Sequence, residues 1–466
     1  MTTLLWAGIC DIFILCGLFL LGTLALRVIH GRSDWLATIS LSFGLGAGLF
    51  TWLLFILSWA GLALNKGTIL GSFAMIVIAL ALLARRRFHV KPIEQTPIGK
   101  SDGKIATWTT TGLWVVIFLV VVGISFLAVG LSYFGWDDIA RWAVKGYGIA
   151  LQNTVLAAAV WGSVGLSYPL NIPILISIFR ILEGDLLPGS KLIYPVFYAS
   201  LLLVCYRFWV LQGLKKWVAS LGALLLASTP VLFTHAFMGY VNLPFTFYLV
   251  SGLLWSIDGI QAGESGKTLL GGTLLALAVL TRPEGLDMLI VGIVALGISR
   301  LLTASGRMKI LPLLLPAVIL TVPWYLFQRM NSTLNVEVYQ YSSLALKGLL
   351  AGDIKWSALY TIIRFIAGQV IRFRDWGFTI LLLGLFLIIG LRPHDLRRDF
   401  ARSTLFFLSI GLFLVVFWSA YMAAYAPGGS AFLYEWISTT LMRSFMPVVL
   451  CLTLLGWLFL REKRSD

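Results

Sequence analysis

Long apolar runs separated by short polar breaks dominate the chain, and no stretch keeps the strict alternation of a half-buried strand. The first runs fall at 4–26, 36–63, 68–84 and 110–134. Each reaches or approaches the ~20 residues needed to cross a bilayer as a helix. Backbone groups inside hydrocarbon must be satisfied within the structure, so continuous apolar runs predict helices and exclude a β-barrel. At about 20 residues per crossing the chain predicts an all-α, polytopic transmembrane helical bundle of roughly 11–13 membrane helices. The opening run, Leu4–Leu26, has no basic region before it and no small-residue cleavage site after it, so it is expected to be a retained helix.

The polar breaks orient the bundle. Basic groups at Arg27–Arg32, Arg85–Lys91, Arg300–Lys309, Arg392–Arg402 and Arg461–Asp466 belong in the cytoplasm by the positive-inside rule. The N-terminus then lies outside, and the fourth helix exits at Tyr133. Residues from Gly135 onward are extracytoplasmic, as are Arg329–Asp375 and Tyr425–Thr440. The middle does not close: counting forward and counting backward place Lys215 on opposite sides. One apparent crossing, expected within 149–187, must be a hairpin or an interfacial helix. Pro169, Pro173, Glu183, Asp185 and Pro188 make that stretch poor spanning material. The expected organisation is a three-helix module with a cytoplasmic linker over 1–107, then a core over 108–466 with outer loops near 135–168 and 329–375.

Composition strengthens this picture. Apolar residues make up 59% of the 466 positions and charged residues 12%, and mean hydropathy is +0.93. A soluble enzyme or a nucleic-acid-binding module is excluded. The net charge of +15 is spread over short clusters between apolar runs, as in a membrane protein. Cys10, Cys16, Cys205 and Cys451 lie in apolar runs without metal or disulfide spacing.

Ionisable and polar residues near membrane depth are the candidates for chemistry. Asp137 and Asp138 follow the exit helix; as neighbours in an apolar surround they suit a general base. Asp137 also stands four residues before Arg141, so a surface helix start with a salt bridge accounts for it equally well. Ser167-Tyr168-Pro169-Leu170 comes next, then His235, then Gly239-Tyr240-Val241-Asn242-Leu243-Pro244. A lone histidine is more often a packing residue than a ligand. Arg282, Glu284 and Asp287 around Pro283 and Gly285 suggest a broken helix lining a polar cavity, with a simple interhelical turn as the alternative. Arg443 enters the last apolar run, where it either serves the site or snorkels to the interface.

The order of these features is similar to that of the GT-C superfamily of polytopic glycosyltransferases, near the bacterial members that resemble protein mannosyltransferases and lipid A aminoarabinose transferases. The resemblance runs from about Thr110 to the end, and its most specific parts are the acidic pair after a helix and the Tyr168-Pro169-Leu170 segment. Two departures stand out: Asn242 occupies a position usually held by Asp, and three helices precede the exit helix.

The resemblance implies a GT-C bundle that transfers a hexosyl or pentosyl unit, with inversion, from a polyprenyl-phosphate donor to a hydroxyl of a glycan, lipid or protein acceptor. The reaction would occur at the outer face of a bacterial inner membrane, without nucleic acid. It implies Asp137 and Asp138 as catalytic residues, Arg443 and Arg282 on the donor phosphate, and Tyr168, His235, Asn242 and Glu284 around the substrate. The metal requirement is left open, a divalent ion being compatible with the acidic pair. A secondary transporter or flippase for a lipid-linked sugar is the competing class. The long outer stretch 329–375, with Tyr339, Tyr341 and Trp356, is a candidate acceptor-binding or covering segment.

Overall fold

The computed structural model describes residues 2–31, 33–87, 104–131, 133, 135, 137–162, 165–184, 189–303, 309–331, 338–370, 372–390, 392–426 and 428–461. The chain runs through α1 (Thr2–His30), α2 (Trp35–Trp59), α3 (Lys66–Arg87), α4 (Lys104–Gly130), α5 (Val144–Gln152), α6 (Ala157–Val160), α7 (Asn171–Glu183) and α8 (Ile193–Leu211). It continues through α9 (Lys216–Ala227), α10 (Pro230–His235), α11 (Asn242–Ala262), α12 (Ser265–Val279), α13 (Gly285–Thr303), α14 (Ile310–Met330), α15 (Val338–Leu350) and α16 (Trp356–Val370). The last elements are α17 (Phe373–Trp376), α18 (Phe378–Gly390), α19 (Pro393–Arg398), α20 (Phe400–Ala423), α21 (Ser430–Trp436), α22 (Met442–Ser444) and α23 (Met446–Leu458). Among the described residues there is no β-strand, and 10 helices are long and apolar enough to cross a membrane. The shorter apolar helices α9 and α12 join them. The protein is an all-α, polytopic integral membrane protein.

Polar ties mark one end of the bundle. Asp34, in the turn between α1 and α2, caps α2 by accepting from the Ala37 N–H at 2.7 Å. It also pairs with Arg207 near the end of α8 at 2.8 Å. Arg207 reaches Asp258 near the end of α11 at 3.4 Å and lies 4.3 Å from the ring centroid of Trp255. Lys309 donates to Ser265 at 3.1 Å, joining the start of α14 to that of α12. Arg461 donates to the Gln212 carbonyl at 3.3 Å, bringing the end of α23 to the end of α8. This end also carries the basic breaks around Lys215, Lys309, Arg402 and Arg461.

The opposite end gathers the described segments between α4 and α8. Tyr133, just past α4, shares a 2.8 Å hydrogen bond with Ser190, just before α8. Residues 131–192 therefore leave and re-enter the bundle at the same end, so α7 is not a crossing. Its first residue, Asn171, is held there by Thr51, which donates to its Oδ1 at 2.7 Å, and by its own amide, which donates to Thr281 at 2.8 Å. With α7 removed from the count, the two directions of counting agree. Asp185 and Pro188 lie outside the described residues.

The core is built on small-residue contacts, as expected where lipid provides no hydrophobic drive between helices. Gly22 of α1 and Gly46 of α2 let the two backbones meet, since a Cβ at either would overlap a carbonyl of the other helix. Gly44 accommodates the Phe247 ring of α11, and its carbonyl accepts from Tyr248 at 2.8 Å. Helices α1 and α2 thus pack directly into the bundle that carries the polar cluster described next.

Candidate functional site

The polar cluster at the end opposite the basic breaks is assembled from segments far apart in sequence. Past α4 the chain enters a π-helical turn, Asp138–Ala143, with Asp137 as its cap, and continues as α5. A second π-helical turn, Ile437–Leu441, precedes Arg443 on α22. Such widened turns re-aim side chains relative to a regular helix and recur at functional sites.

Asp137 and Arg443 meet. One terminal nitrogen of Arg443 forms an ion pair with Asp137 Oδ2, and both side chains are 9% exposed. Asp137 Oδ1 is 3.0 Å from Nε of Arg141, four residues later. The local salt bridge suggested by the i, i+4 spacing therefore forms, and the same carboxylate also joins the cluster. Arg443 donates to Thr440 Oγ1 at 3.1 Å and sits 5.1 Å from the Tyr240 ring centroid, while its Nε is buried without a hydrogen-bond partner.

Asp138 goes elsewhere. It is fully buried, rests against Gly239, and lies close enough to Lys191 to influence its charge. The two neighbouring carboxylates thus engage different partners. Trp136 lies outside the described residues.

Arg282 and Glu284 occupy the turn between α12 and α13. Arg282 grips Glu284 with two hydrogen bonds, Nε to Oε2 at 3.1 Å and a terminal nitrogen to Oε1 at 2.9 Å. The turn reverses the chain, since α13 leads back to the end where Lys309 meets Ser265. The Pro283–Gly285 break is accordingly an interhelical turn rather than an interruption of one helix. Burial alone would raise the Glu284 carboxyl and lower the Arg282 guanidinium. Their mutual attraction and hydrogen bonding outweigh burial, holding Glu284 below and Arg282 above their ordinary values. Both are charged at neutral pH. Asp287, one turn into α13, is exposed and faces a groove against α20 that includes Trp418.

A narrow cavity joins these parts, lined by Asn242, Phe245, Arg282, Glu284, Arg443 and Ser444 among others. Asn242 is the first residue of α11 and is buried. Tyr168 lies beside Arg141, its ring centroid 5.6 Å from the guanidinium carbon and its Oη 3.5 Å from a terminal nitrogen. Burial raises its phenol, which stays protonated. His235 Nδ1 is 2.8 Å from the Val231 carbonyl, and its ring is 5.5 Å from Tyr240. Burial, with the nearby Arg443 and Arg282 charges, outweighs the carbonyl hydrogen bond and lowers His235 to about 3. The imidazole is therefore neutral, donating from Nδ1 and leaving Nε2 as an acceptor.

The cluster thus brings Arg443, Arg282, Glu284 and Asn242 to one cavity, with Asp137 joined to it through Arg443, Tyr168 beside Arg141 and His235 beside Tyr240. Arg141, Tyr240 and Thr440 are contributors that the sequence reading did not single out as site residues. Among the described residues no three His, Cys, Asp or Glu side chains converge as a metal site, and both Asp137 oxygens already face arginines. The donor set does not fit a divalent cation. Trp356 and Tyr360, at 70% and 65% exposure, point outward on α16; the side chains of Tyr339 and Tyr341 lie outside the described residues.

No family model and no curated protein matches the chain. Among solved structures it is similar to the crystal structure of ArnT from Cupriavidus metallidurans bound to undecaprenyl phosphate, at 14% identity, with a TM-score of 0.41, covering 75% of this chain and 78% of that one.

Proposed function

We propose that this protein is an inverting glycosyltransferase of GT-C type. It moves a hexosyl or pentosyl unit from a polyprenyl-phosphate donor to a hydroxyl of a glycan, lipid or protein acceptor. One observation carries the reading: Arg282, Glu284 and Arg443 line one cavity at the end of the bundle opposite the basic loops, and Asp137 is ion-paired to Arg443 there and to Arg141. The positive-inside pattern supports an outer-face site, and we assign the protein to a bacterial inner membrane. Arg282 and Arg443 against Glu284 leave the cavity lining net positive, as a phosphate requires. A transporter would bind its cargo near the midplane between related halves, whereas these groups gather at one end.

The chemistry follows from charge. The acceptor oxygen attacks the anomeric carbon as the bond to the phosphate oxygen breaks, and the leaving polyprenyl phosphate keeps the electron pair. The acceptor proton passes to Asp137. Charge develops on the phosphate, where Arg443 and Arg282 would offer charge-assisted hydrogen bonds. Phosphate departs without a strong general acid, which fits Glu284 being held charged by Arg282 at the cavity. Asp138 supports the turn that carries Asp137. Tyr168, His235 and Asn242 offer a phenol, a neutral acceptor and an amide for sugar hydroxyls.

The test is mass spectrometry of lipid-linked sugars and envelope glycans from cells with the protein, without it, and with Asp137→Asn. The reading requires a lipid-linked sugar to accumulate and a glycan modification to vanish in both deficient strains. Identical profiles in all three would remove it.

A further inference from the structure

The Asp137–Arg443 pair poses a problem for catalysis. A carboxylate that takes a proton from a hydroxyl needs an available oxygen, yet Asp137 shares Oδ1 with Arg141 and Oδ2 with Arg443. Arg443 is needed on the donor phosphate as well. It lines the cavity, is 8% exposed, and keeps a buried Nε without a hydrogen-bond partner. That is an unused donor on a guanidinium facing a space suited to an anion.

We propose that Arg443 exchanges Asp137 for the donor phosphate when the donor binds, and that Arg141 is the positioning residue that keeps Asp137 aimed once Arg443 has left. The proposal rests on the glycosyltransferase reading and deepens it. In the empty site Asp137 is the internal counter-ion of Arg443, which avoids leaving a desolvated guanidinium unpaired. A phosphate competes for the same donors in the bidentate geometry that guanidinium favours. Its arrival frees Asp137 Oδ2 to accept the acceptor proton, and the base becomes available only in the loaded enzyme. Arg141 can stay in place because its contacts with Asp137 and with Tyr168 both lie between α4 and α7.

The exchange makes a prediction opposite in sign to that for an ordinary binding residue. Asp137 competes with the ligand, so removing its charge should tighten phosphate binding while abolishing transfer. Full-length protein in detergent would be titrated with a synthetic polyprenyl monophosphate, and transfer assayed with a lipid-linked sugar donor. Asp137→Asn is expected to bind the polyprenyl monophosphate at least threefold more tightly than wild type. Asp137→Ser provides a second charge-removing variant, each being compared only as a monodisperse preparation. Arg443→Gln should lose at least tenfold in that affinity. Arg141→Gln should keep donor affinity within twofold and lose at least tenfold in kcat, with Arg141→Lys recovering part of it.

Unchanged or weaker binding in both Asp137 variants would overturn the exchange while leaving the glycosyltransferase reading intact. Loss of donor affinity in Arg141→Gln equal to that in Arg443→Gln would overturn the positioning role. If wild type fails to bind the polyprenyl monophosphate at all, the donor reading falls and the exchange with it.

Discussion

The Asp138 carboxylate rests against the backbone of Gly239, so closely that a Cβ at that position would overlap Oδ1. Gly239 precedes Tyr240, whose ring lies by Arg443, and its own carbonyl accepts from Tyr194 at 2.8 Å. One glycine therefore couples the buried acid to the wall of the cavity. Gly239→Ala should force the Asp138 side chain or the 236–241 loop to move, costing about 1–3 kcal/mol as overpacking does. We expect a lower Tm together with reduced transfer. A variant with wild-type Tm and turnover would show that the contact relaxes without consequence.

Neighbouring carboxylates with different surroundings should fail in different ways. Asp137→Asn keeps the shape of the side chain but removes the base, so transfer should fall by about 10²–10⁴-fold, far more than the stability lost by stranding the Arg443 charge accounts for. Asp138 is fully buried near Lys191, so Asp138→Asn should cost stability first and activity in proportion. Parallel measurement of Tm and turnover separates the two. If Asp138→Asn is inactive at full stability and Asp137→Asn is active, the base is Asp138.

Much of this architecture is legible in the sequence, and the exceptions have physical reasons. Apolar runs the length of a bilayer specify helices because no other backbone arrangement is tolerated there. α7 is as apolar as a crossing helix but only 13 residues long, and the Tyr133–Ser190 hydrogen bond with the pairing of Asn171 to Thr51 and Thr281 shows that it stays at one end. Arg443 and Arg282 stand out as charges inside apolar runs, whereas Tyr240 and Thr440 carry no such signal, being neutral residues common in membrane segments. Adjacent residues on a helix do not share a face, so Asp137 and Asp138 diverge as helical geometry requires, but their partners, Arg443 and Gly239, come from segments far away in sequence. The i, i+4 spacing did identify the contact between Asp137 and Arg141, though it could not show that the same carboxylate meets Arg443.

The basic end has its own dependency. Arg207 is buried between Asp34 and Asp258, so Arg207→Met should leave two carboxylates without their shared cation and cost about 3–5 kcal/mol. Replacing Asp258 by Asn in the same chain should return part of that loss, because one of the stranded charges is then gone. Burial alone would raise the Asp34 carboxyl, but Arg207 and the Ala37 N–H hold it below the usual carboxylate range. The group is depressed in the folded protein, so its contribution is complete above its ordinary value and is lost as pH falls through the lowered one. In Arg207→Met the Asp34 carboxyl loses the charge that holds it down and burial raises it, so the folded variant takes up the proton more readily than the unfolded chain and its Tm deficit should narrow as pH falls. A deficit that stays constant with pH would assign Asp34 no role in it.

Lys145 offers the clearest pH test. Its side chain is fully buried on α5, and its amine donates to the Gly165 carbonyl. Burial, with a smaller contribution from the Arg141 charge, lowers it from 10.5 to about 7. The unfolded chain therefore holds this proton up to about pH 10.5, whereas the folded protein releases it near 7. Between those values the unfolded state binds more protons, so stability should rise with pH across that window. Below pH 7 both states are protonated, and the folded protein bears the whole cost of the buried charge. Lys145→Met removes that cost at the expense of one hydrogen bond. Its Tm should exceed that of wild type at pH 6, and the advantage should shrink steadily toward pH 10, where wild type keeps a neutral amine that still donates to Gly165. Thermal unfolding of both proteins across that range checks the sign directly. A Tm difference that stays constant with pH would mean that the Lys145 proton does not distinguish folded from unfolded chain.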